Sequence, residues 1–270
     1  MVLGNLPLRR RRRGDRPARF RRGVFLLPSL FTVGNLFCGY ACVVYATRGD
    51  YERAALFIGV AMILDMLDGF IARLTGSSTA FGMELDSLAD IVSFGLAPAI
   101  LAFTWGLSPL GRYGWAAGFL YVAAAAMRLA RFNIQSSNPA ALDKRYFVGM
   151  PSPAAAAVIV STVYLYPYRL LDRESALPAL AMVLVPAFLM VSTLRFRSVK
   201  IIDVGWRRSY VALFLAAVVI ALIAAQPRVA LVVLSYSYLA SAFIGWVVTR
   251  VRRRGPEASV RAPDTSRPAL

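Results

Sequence analysis

Four aspartates dominate the chemistry this chain could do. Asp65 and Asp68 lie in one apolar stretch, Asp86 and Asp90 in the next, and the four fall within 26 residues. Both stretches are otherwise greasy enough to sit in a membrane, where an ionised carboxylate costs about 2.5–3.5 kcal/mol at mid-bilayer on insertion scales. Four of them need compensating positive charge. Arg73 can balance one. Hard divalent cations, which take carboxylate oxygens, are the natural partners for the rest. The chain has no histidine, which excludes imidazole ligands and a histidine base. A general base here is a carboxylate or a less usual group.

Spacing decides how these groups face. Asp65 and Asp68 are three apart and share a helix face, and Ala72 continues that stripe. Gly82, Asp86 and Asp90 repeat every fourth residue and form a second stripe. Gly69 follows the second aspartate, and Gly82 precedes the third by one turn. Glycine inside a helix is unfavourable by roughly 0.5–1 kcal/mol relative to alanine, so its use here is to let a ligand or a second backbone approach. Two adjacent antiparallel helices would gather four carboxylates around one pocket. A merely structural pair of helices with satisfied polar cores leaves the excess negative charge without a partner. Glu84 lies outside both stripes, as a helper at the mouth or as an interfacial charge.

The elements that must position these groups are membrane spans. The 270 residues are 58% hydrophobic, with repeated long apolar runs, which predicts an all-α, polytopic integral-membrane helical bundle. Eight spans are expected, at roughly 25–47, 53–74, 82–105, 113–132, 151–168, 177–194, 209–225 and 229–249. With the N-terminus inside, Arg48, Arg53, Arg112, Arg169, Arg173 and Arg228 fall on the outer side, six of the 31 Lys and Arg. That asymmetry fits the positive-inside rule, an even number of spans and two cytoplasmic termini. It also makes the connection from Thr75 to Phe81 cytoplasmic. At 1.5 Å per residue, Asp68 then lies about 10 Å, Asp65 about 15 Å and Asp90 about 13 Å below that end.

Residues 1–23 form a basic arm with nine arginines between Arg9 and Arg22. It reads as a topogenic anchor, with attraction to anionic membrane lipid as the sharper alternative. It lacks interleaved aromatics or a known module, so no nucleic-acid partner is expected. Nor does it look like a signal peptide, since no short apolar core precedes a small-residue cleavage site. Residues 24–250 form the membrane domain, and 251–270 read as a disordered cytoplasmic tail. Cys38 and Cys42, one turn apart on an apolar helix, read as small buried hydrophobes.

The pattern Asp-x2-Asp-Gly-x2-Ala-Arg-x8-Gly-x3-Asp-x3-Asp is met at all eight fixed positions by Asp65, Asp68, Gly69, Ala72, Arg73, Gly82, Asp86 and Asp90. It resembles the signature of the CDP-alcohol phosphotransferases, integral-membrane enzymes that move a phosphatidyl or similar group from a CDP-linked donor to an alcohol. Other stretches resemble the bacterial membrane-spanning phosphatidylserine synthases within that family. They are Pro28-Ser-Leu-Phe-Thr32, the run from Asp86 through Ser93-Phe-Gly-Leu-Ala-Pro98-Ala99, Arg128-Leu-Ala-Arg131-Phe-Asn133, and Gly149-Met-Pro-Ser-Pro-Ala154. The likeness covers about residues 25–155. Ser29 departs from the asparagine often found there.

The resemblance implies transfer of the phosphatidyl group of CDP-diacylglycerol to the hydroxyl of L-serine, giving phosphatidylserine and CMP. It implies two divalent ions, Mg2+ or Mn2+, on Asp65, Asp68, Asp86 and Asp90, with Asp90 also the general base. Ser29, Thr32, Gly69, Ala72, Arg73, Thr79 and Gly82 would contact the CDP-lipid. Arg128, Arg131 and Asn133 would line the acceptor pocket, where an arginine could clamp the serine carboxylate; plain cytoplasmic anchoring is their alternative. Lys144 and Arg145 are candidates of the same kind. A homodimer in the cell membrane, with its site facing the cytoplasm, is implied too. The nearest competing reading is a sister enzyme that takes glycerol phosphate or an inositol phosphate. A divalent-metal transporter would spread its carboxylates over several helices near the midplane, and a scaffold would need none of them.

Overall fold

The computed structural model describes residues 18–75, 79–136, 146–192, 195–197, 213–214, 217–218, 221 and 224–253. Seven long helices run through them. They are α1 (Ala18–Thr47), α2 (Tyr51–Thr75), α3 (Ala80–Leu110), α4 (Arg112–Ser136), α5 (Ser152–Leu165), α6 (Arg173–Val191) and α7 (Pro227–Arg253). One short antiparallel ribbon pairs β1 (Tyr146–Val148) with β2 (Arg195–Arg197). Four of the helices, α1, α2, α3 and α6, are long and apolar enough to cross a membrane. Their outward faces agree: Leu30, Val33, Phe37 and Tyr40 of α1 form an exposed apolar stripe that water would not tolerate and lipid would.

The α1–α2 hairpin is set by its turn residues. Gly49 takes φ 80°, a conformation that suits glycine at a helix C-terminus. The N–H of Asp50 returns to the Tyr45 carbonyl at 3.0 Å. Asp50 then caps the next helix, accepting from the Arg53 N–H at 3.1 Å. The two helices therefore run antiparallel, with Tyr45 stacked on Phe57 at 5.3 Å.

Small residues let α1, α2 and α3 approach closely, as membrane helices require. Ala54, Ala55, Ala61 and Ala97 are buried. A Cβ added to Gly39 would stand 2.9 Å from the Ser93 Cα, so α1 and α3 touch there almost backbone to backbone. Cys38 and Cys42 are buried free thiols, as expected of small hydrophobes.

Helix α3 runs longer than the 82–105 expected and is not α-helical throughout. It widens to π-helix over Ile91–Leu96 and again over Phe103–Leu107. Pro98 sits between these segments, with no N–H to give the preceding turn. The Phe94 carbonyl instead accepts from the Tyr121 hydroxyl of α4 at 3.2 Å. One bond thus satisfies a carbonyl freed by proline and a phenol that is wholly buried.

Contacts at the helix ends show that directions alternate. At one end Tyr51 donates to the Thr104 carbonyl at 2.9 Å, the Leu170 N–H to the Trp105 carbonyl at 2.8 Å, and Arg228 to Glu52 at 2.5 Å. At the other end the Met150 N–H reaches the Leu189 carbonyl at 3.0 Å. Gly149, at φ 85°, leaves no room for a Cβ against the Met190 carbonyl. Helix α5 is only 14 residues, about 21 Å, short of the ~30 Å hydrocarbon core. The backbone after it is tied to α3: Trp105 Nε1 donates to the Tyr166 carbonyl at 2.9 Å. Protein thus replaces the missing helical bonds.

Besides the longer α3, expectation and structure differ in two further places, and one expected span is not tested. The expected span 151–168 is helical only over Ser152–Leu165. The ribbon between the two basic connections was not foreseen. The expected span 209–225 falls largely outside the described residues, as do most of the arm and tail, although Ala18 onward and residues up to Arg253 are helical. Tyr121→Phe should leave the Phe94 carbonyl buried and unpaired and lower stability by about 1–3 kcal/mol. Thermal unfolding of the detergent-purified variant measures this, and an unchanged midpoint would remove the bond from the account.

Candidate active site

The site is built on the α2–α3 hairpin. Thr79 caps α3 by accepting the Gly82 N–H at 3.0 Å. The two stripes then converge: Asp65, Asp68 and Asp86 each bring a carboxylate oxygen within 4.8 Å of the others. Asp90 lies one turn further along α3, with its carboxyl close to that of Asp65. Asp68 is buried and accepts the Thr32 hydroxyl of α1 at 3.1 Å. Three helices thus enclose one acidic pocket.

The positive charge comes from an unexpected quarter. Arg73 is exposed, on the last turn of α2. The cation that acts on Asp90 and Asp65 is Arg128 of α4. It is held by donation from Nη1 to the Ser152 hydroxyl at 2.7 Å and lies 5.9 Å over the Phe132 ring. One turn on, Asn133 Nδ2 donates to the Ser87 hydroxyl at 2.9 Å and ties α4 to α3. Tyr238 of α7 also interacts electrostatically with Arg128, so a helix that looked plain in sequence reaches the site.

These residues fit a divalent ion. Among the described residues, Asp86 Oδ1 and Asp90 Oδ1 are buried with no hydrogen-bond partner, a costly state for a carboxylate. Asp65 and Asp90 are close enough to repel strongly when ionised, and a dication between carboxylates turns that repulsion into attraction. A hard oxygen-only donor set suits Mg2+ or Mn2+. One arginine cannot neutralise four carboxylates.

The other expected site residues divide by position. Gly69 borders open space, since an added Cβ would meet no atom within 4 Å. Helix packing does not explain that glycine. At Gly82 a Cβ would press on Thr79 Oγ1 at 3.1 Å, so this glycine serves the capping turn. Ala72 is half-buried beside Arg73, and Ser29 is half-buried at the same end of α1 as Thr32. Arg131 is half-buried and Glu84 exposed. Lys144 and Arg145 lie outside the described residues. Ser152, Tyr238 and Asn35 were not singled out from sequence. Asn35 is wholly buried, and neither polar atom of its side chain has a partner among the described residues. An amide three residues after Thr32 on an apolar helix was the available signal.

Known proteins resemble this chain in sequence. A family model described as CDP-alcohol phosphatidyltransferase matches residues 25–193. A CDP-diacylglycerol–serine O-phosphatidyltransferase of Helicobacter pylori is 35% identical over 230 residues, 85% of this chain and 94% of that protein. One of Bacillus subtilis is 33% identical over 175 residues, 64% of this chain and 91% of that protein. An archaetidylserine synthase of Methanothermobacter thermautotrophicus is 33% identical over 173 residues, 63% of this chain and 69% of that protein.

Metal binding to the folded chain should appear as stabilisation. Mn2+ at a hundred times its dissociation constant should add about 2.7 kcal/mol. Asp86→Asn should weaken Mn2+ at least tenfold and leave the metal-free protein as stable or more so. Thermal unfolding with and without Mn2+ reads both, and an equal response from the variant would remove Asp86 from the ligand set.

Proposed function

The chain belongs to the CDP-alcohol phosphatidyltransferase family, and from that premise we propose that it transfers the phosphatidyl group of CDP-diacylglycerol to the hydroxyl of L-serine, releasing CMP. The observation that carries the reaction class is the convergence of Asp65, Asp68 and Asp86 beside Asp90. The serine acceptor is supported by the names of the Helicobacter and Bacillus relatives and by the motifs shared with such enzymes. The position of Arg128 adds to this, since a guanidinium next to Asp90 suits an acceptor carboxylate.

In this reading Asp65, Asp68, Asp86 and Asp90 hold two divalent ions, Mg2+ or Mn2+. When bound, these supply charge neutralisation of the diphosphate and of the departing CMP. The chain's own residues do the rest. Asp90 accepts the proton of the serine hydroxyl, whose oxygen attacks the phosphorus that carries diacylglycerol. The bond from that phosphorus to CMP breaks in line. Arg128, with Arg131 and Asn133 near it, orients the acceptor. Gly69 leaves the space that the nucleotide enters, bordered by Ser29, Thr32, Ala72, Arg73, Thr79 and Gly82.

The site faces the cytoplasm in this proposal, at the end where the hairpin turns and β1 pairs with β2. Eight crossings fit the alternating directions. Ser192 lies at the end of the bundle near Gly149 and Pro227 at the end near Glu52, which supports this count. The arm 1–23, membrane domain 24–250 and tail 251–270 complete the layout. A homodimer is taken from the resemblance, and light scattering in detergent tests it.

The decisive assay uses purified protein, CDP-diacylglycerol, Mn2+ and a panel of labelled alcohols: serine, glycerol phosphate and an inositol phosphate. Label from serine should enter lipid with equimolar CMP, and preference for either phosphate would reassign the acceptor. Asp90→Asn should bind CDP-diacylglycerol yet lose at least a hundredfold in kcat; a near-normal rate would strip Asp90 of its role as base. Gly69→Ala should raise thermal stability by about 0.5–1 kcal/mol while raising KM for CDP-diacylglycerol several-fold. Unchanged KM would show the space beside Asp68 to be idle.

A further inference from the structure

Asn35 is the one side chain among the described residues that is wholly buried while both of its polar atoms go without a partner. Its backbone is occupied: the Asn35 carbonyl accepts the Ser93 hydroxyl at 2.9 Å. Its amide is not, and an unsatisfied buried amide costs about 1–3 kcal/mol on mutational scales. A leucine, of similar branched shape, would avoid that cost. Nothing among the described residues completes it.

The helix registers place it. On α1, Thr32 one turn before contacts Asp68, and Gly39 one turn after meets Ser93, so the face that carries Asn35 looks into the α2–α3 hairpin. Helices α1 and α2 run antiparallel. Continuing the register from Thr32 against Asp68 and Gly34 against Leu64 sets Asn35 opposite Asp65. Helices α1 and α3 run parallel, and the Ser93–Asn35 bond sets Asn35 within a turn of Asp90. The amide therefore stands at the level of Asp65 and Asp90, deeper than Thr32 and Asp68.

We propose that Asn35 binds the hydroxyl acceptor directly and holds it beside Asp90 through both ends of its amide. This rests on the reading of the chain as a CDP-diacylglycerol-dependent transferase to serine. A zwitterionic amino alcohol offers a carboxylate for Nδ2–H to donate to, and an ammonium or hydroxyl that Oδ1 can accept from. A neutral amide adds no charge to an already acidic pocket. A phosphorylated acceptor would call for a second cation there, and Arg128 is the only cation among the described residues seen acting on Asp90.

The test is Asn35→Leu, with Asn35→Ala and Asn35→Ser as second variants should leucine not fold. Formation of phosphatidylserine by the unaltered protein checks the underlying reading first; absence of that activity defeats the reading itself. With it in hand, Asn35→Leu should raise KM for serine at least tenfold. KM for CDP-diacylglycerol and Mn2+ affinity from thermal shift should stay within twofold, and the protein without ligands should be as stable or more stable. Unchanged KM for serine overturns the proposal. So does a loss of Mn2+ affinity that matches the loss of activity, which would make Asn35 part of the metal's surroundings instead.

Discussion

Carboxylates held in a low-dielectric interior govern this molecule. Left ionised and unpartnered, they would be expelled by their hydration and by mutual repulsion. The fold does the reverse and points them at one another from α2 and α3. Within the described residues it sets one guanidinium, Arg128, and one hydroxyl, Thr32, against them. That leaves an excess of negative charge, and the clustered carboxylates are a donor set that a hard divalent cation would fit.

Holding the hairpin in that arrangement falls to packing that is tight where it must be and relaxed where the ligand goes. Gly39 against Ser93 and the buried alanines fix how near α1 comes to α3. The π-widened turn that starts right after Asp90 lies on the same helix. Such widenings are common near functional sites because they re-aim side chains without ending a helix. Here the carbonyl freed by Pro98 is secured by Tyr121 of α4. The same helix carries Arg128, so one element both braces α3 and brings the counter-charge. Gly69 is the opposite case, a small residue beside open space.

Much of this was legible from spacing alone. The i, i+3 and i, i+4 repeats placed Asp65, Asp68 and Asp86 in one cluster because helix geometry leaves little choice. Apolar run lengths located seven of the helices, most ends to within four residues, although α1 starts seven residues earlier and α3 ends five later than expected. What escaped depends on which helices become neighbours. Arg73 is close to Asp68 in sequence and took the role of counter-ion on that ground, yet it lies at the exposed end of α2. Arg128 is sixty residues from Asp68 and reaches the pocket only because α4 packs on α3. The ribbon between β1 and β2 joins two connections whose pairing no local pattern announces. Thr79 and Gly82, expected as ligand contacts, also have a local task in capping α3, and capping by threonine was readable from sequence.

The transporter alternative can be weighed on the same physical ground. A conduit for dications must release them on both sides, which favours acidic groups spaced along a path and helices broken to expose carbonyls. Here Asp65, Asp68 and Asp86 converge within one cluster, and the arginine nearby would oppose passage of a cation. The far end of the bundle is tied by Tyr51 to Thr104, Trp105 to Tyr166 and Arg228 to Glu52. An arrangement that gathers carboxylates at one depth, beside an arginine and open space at Gly69, suits a transferase better than a conduit.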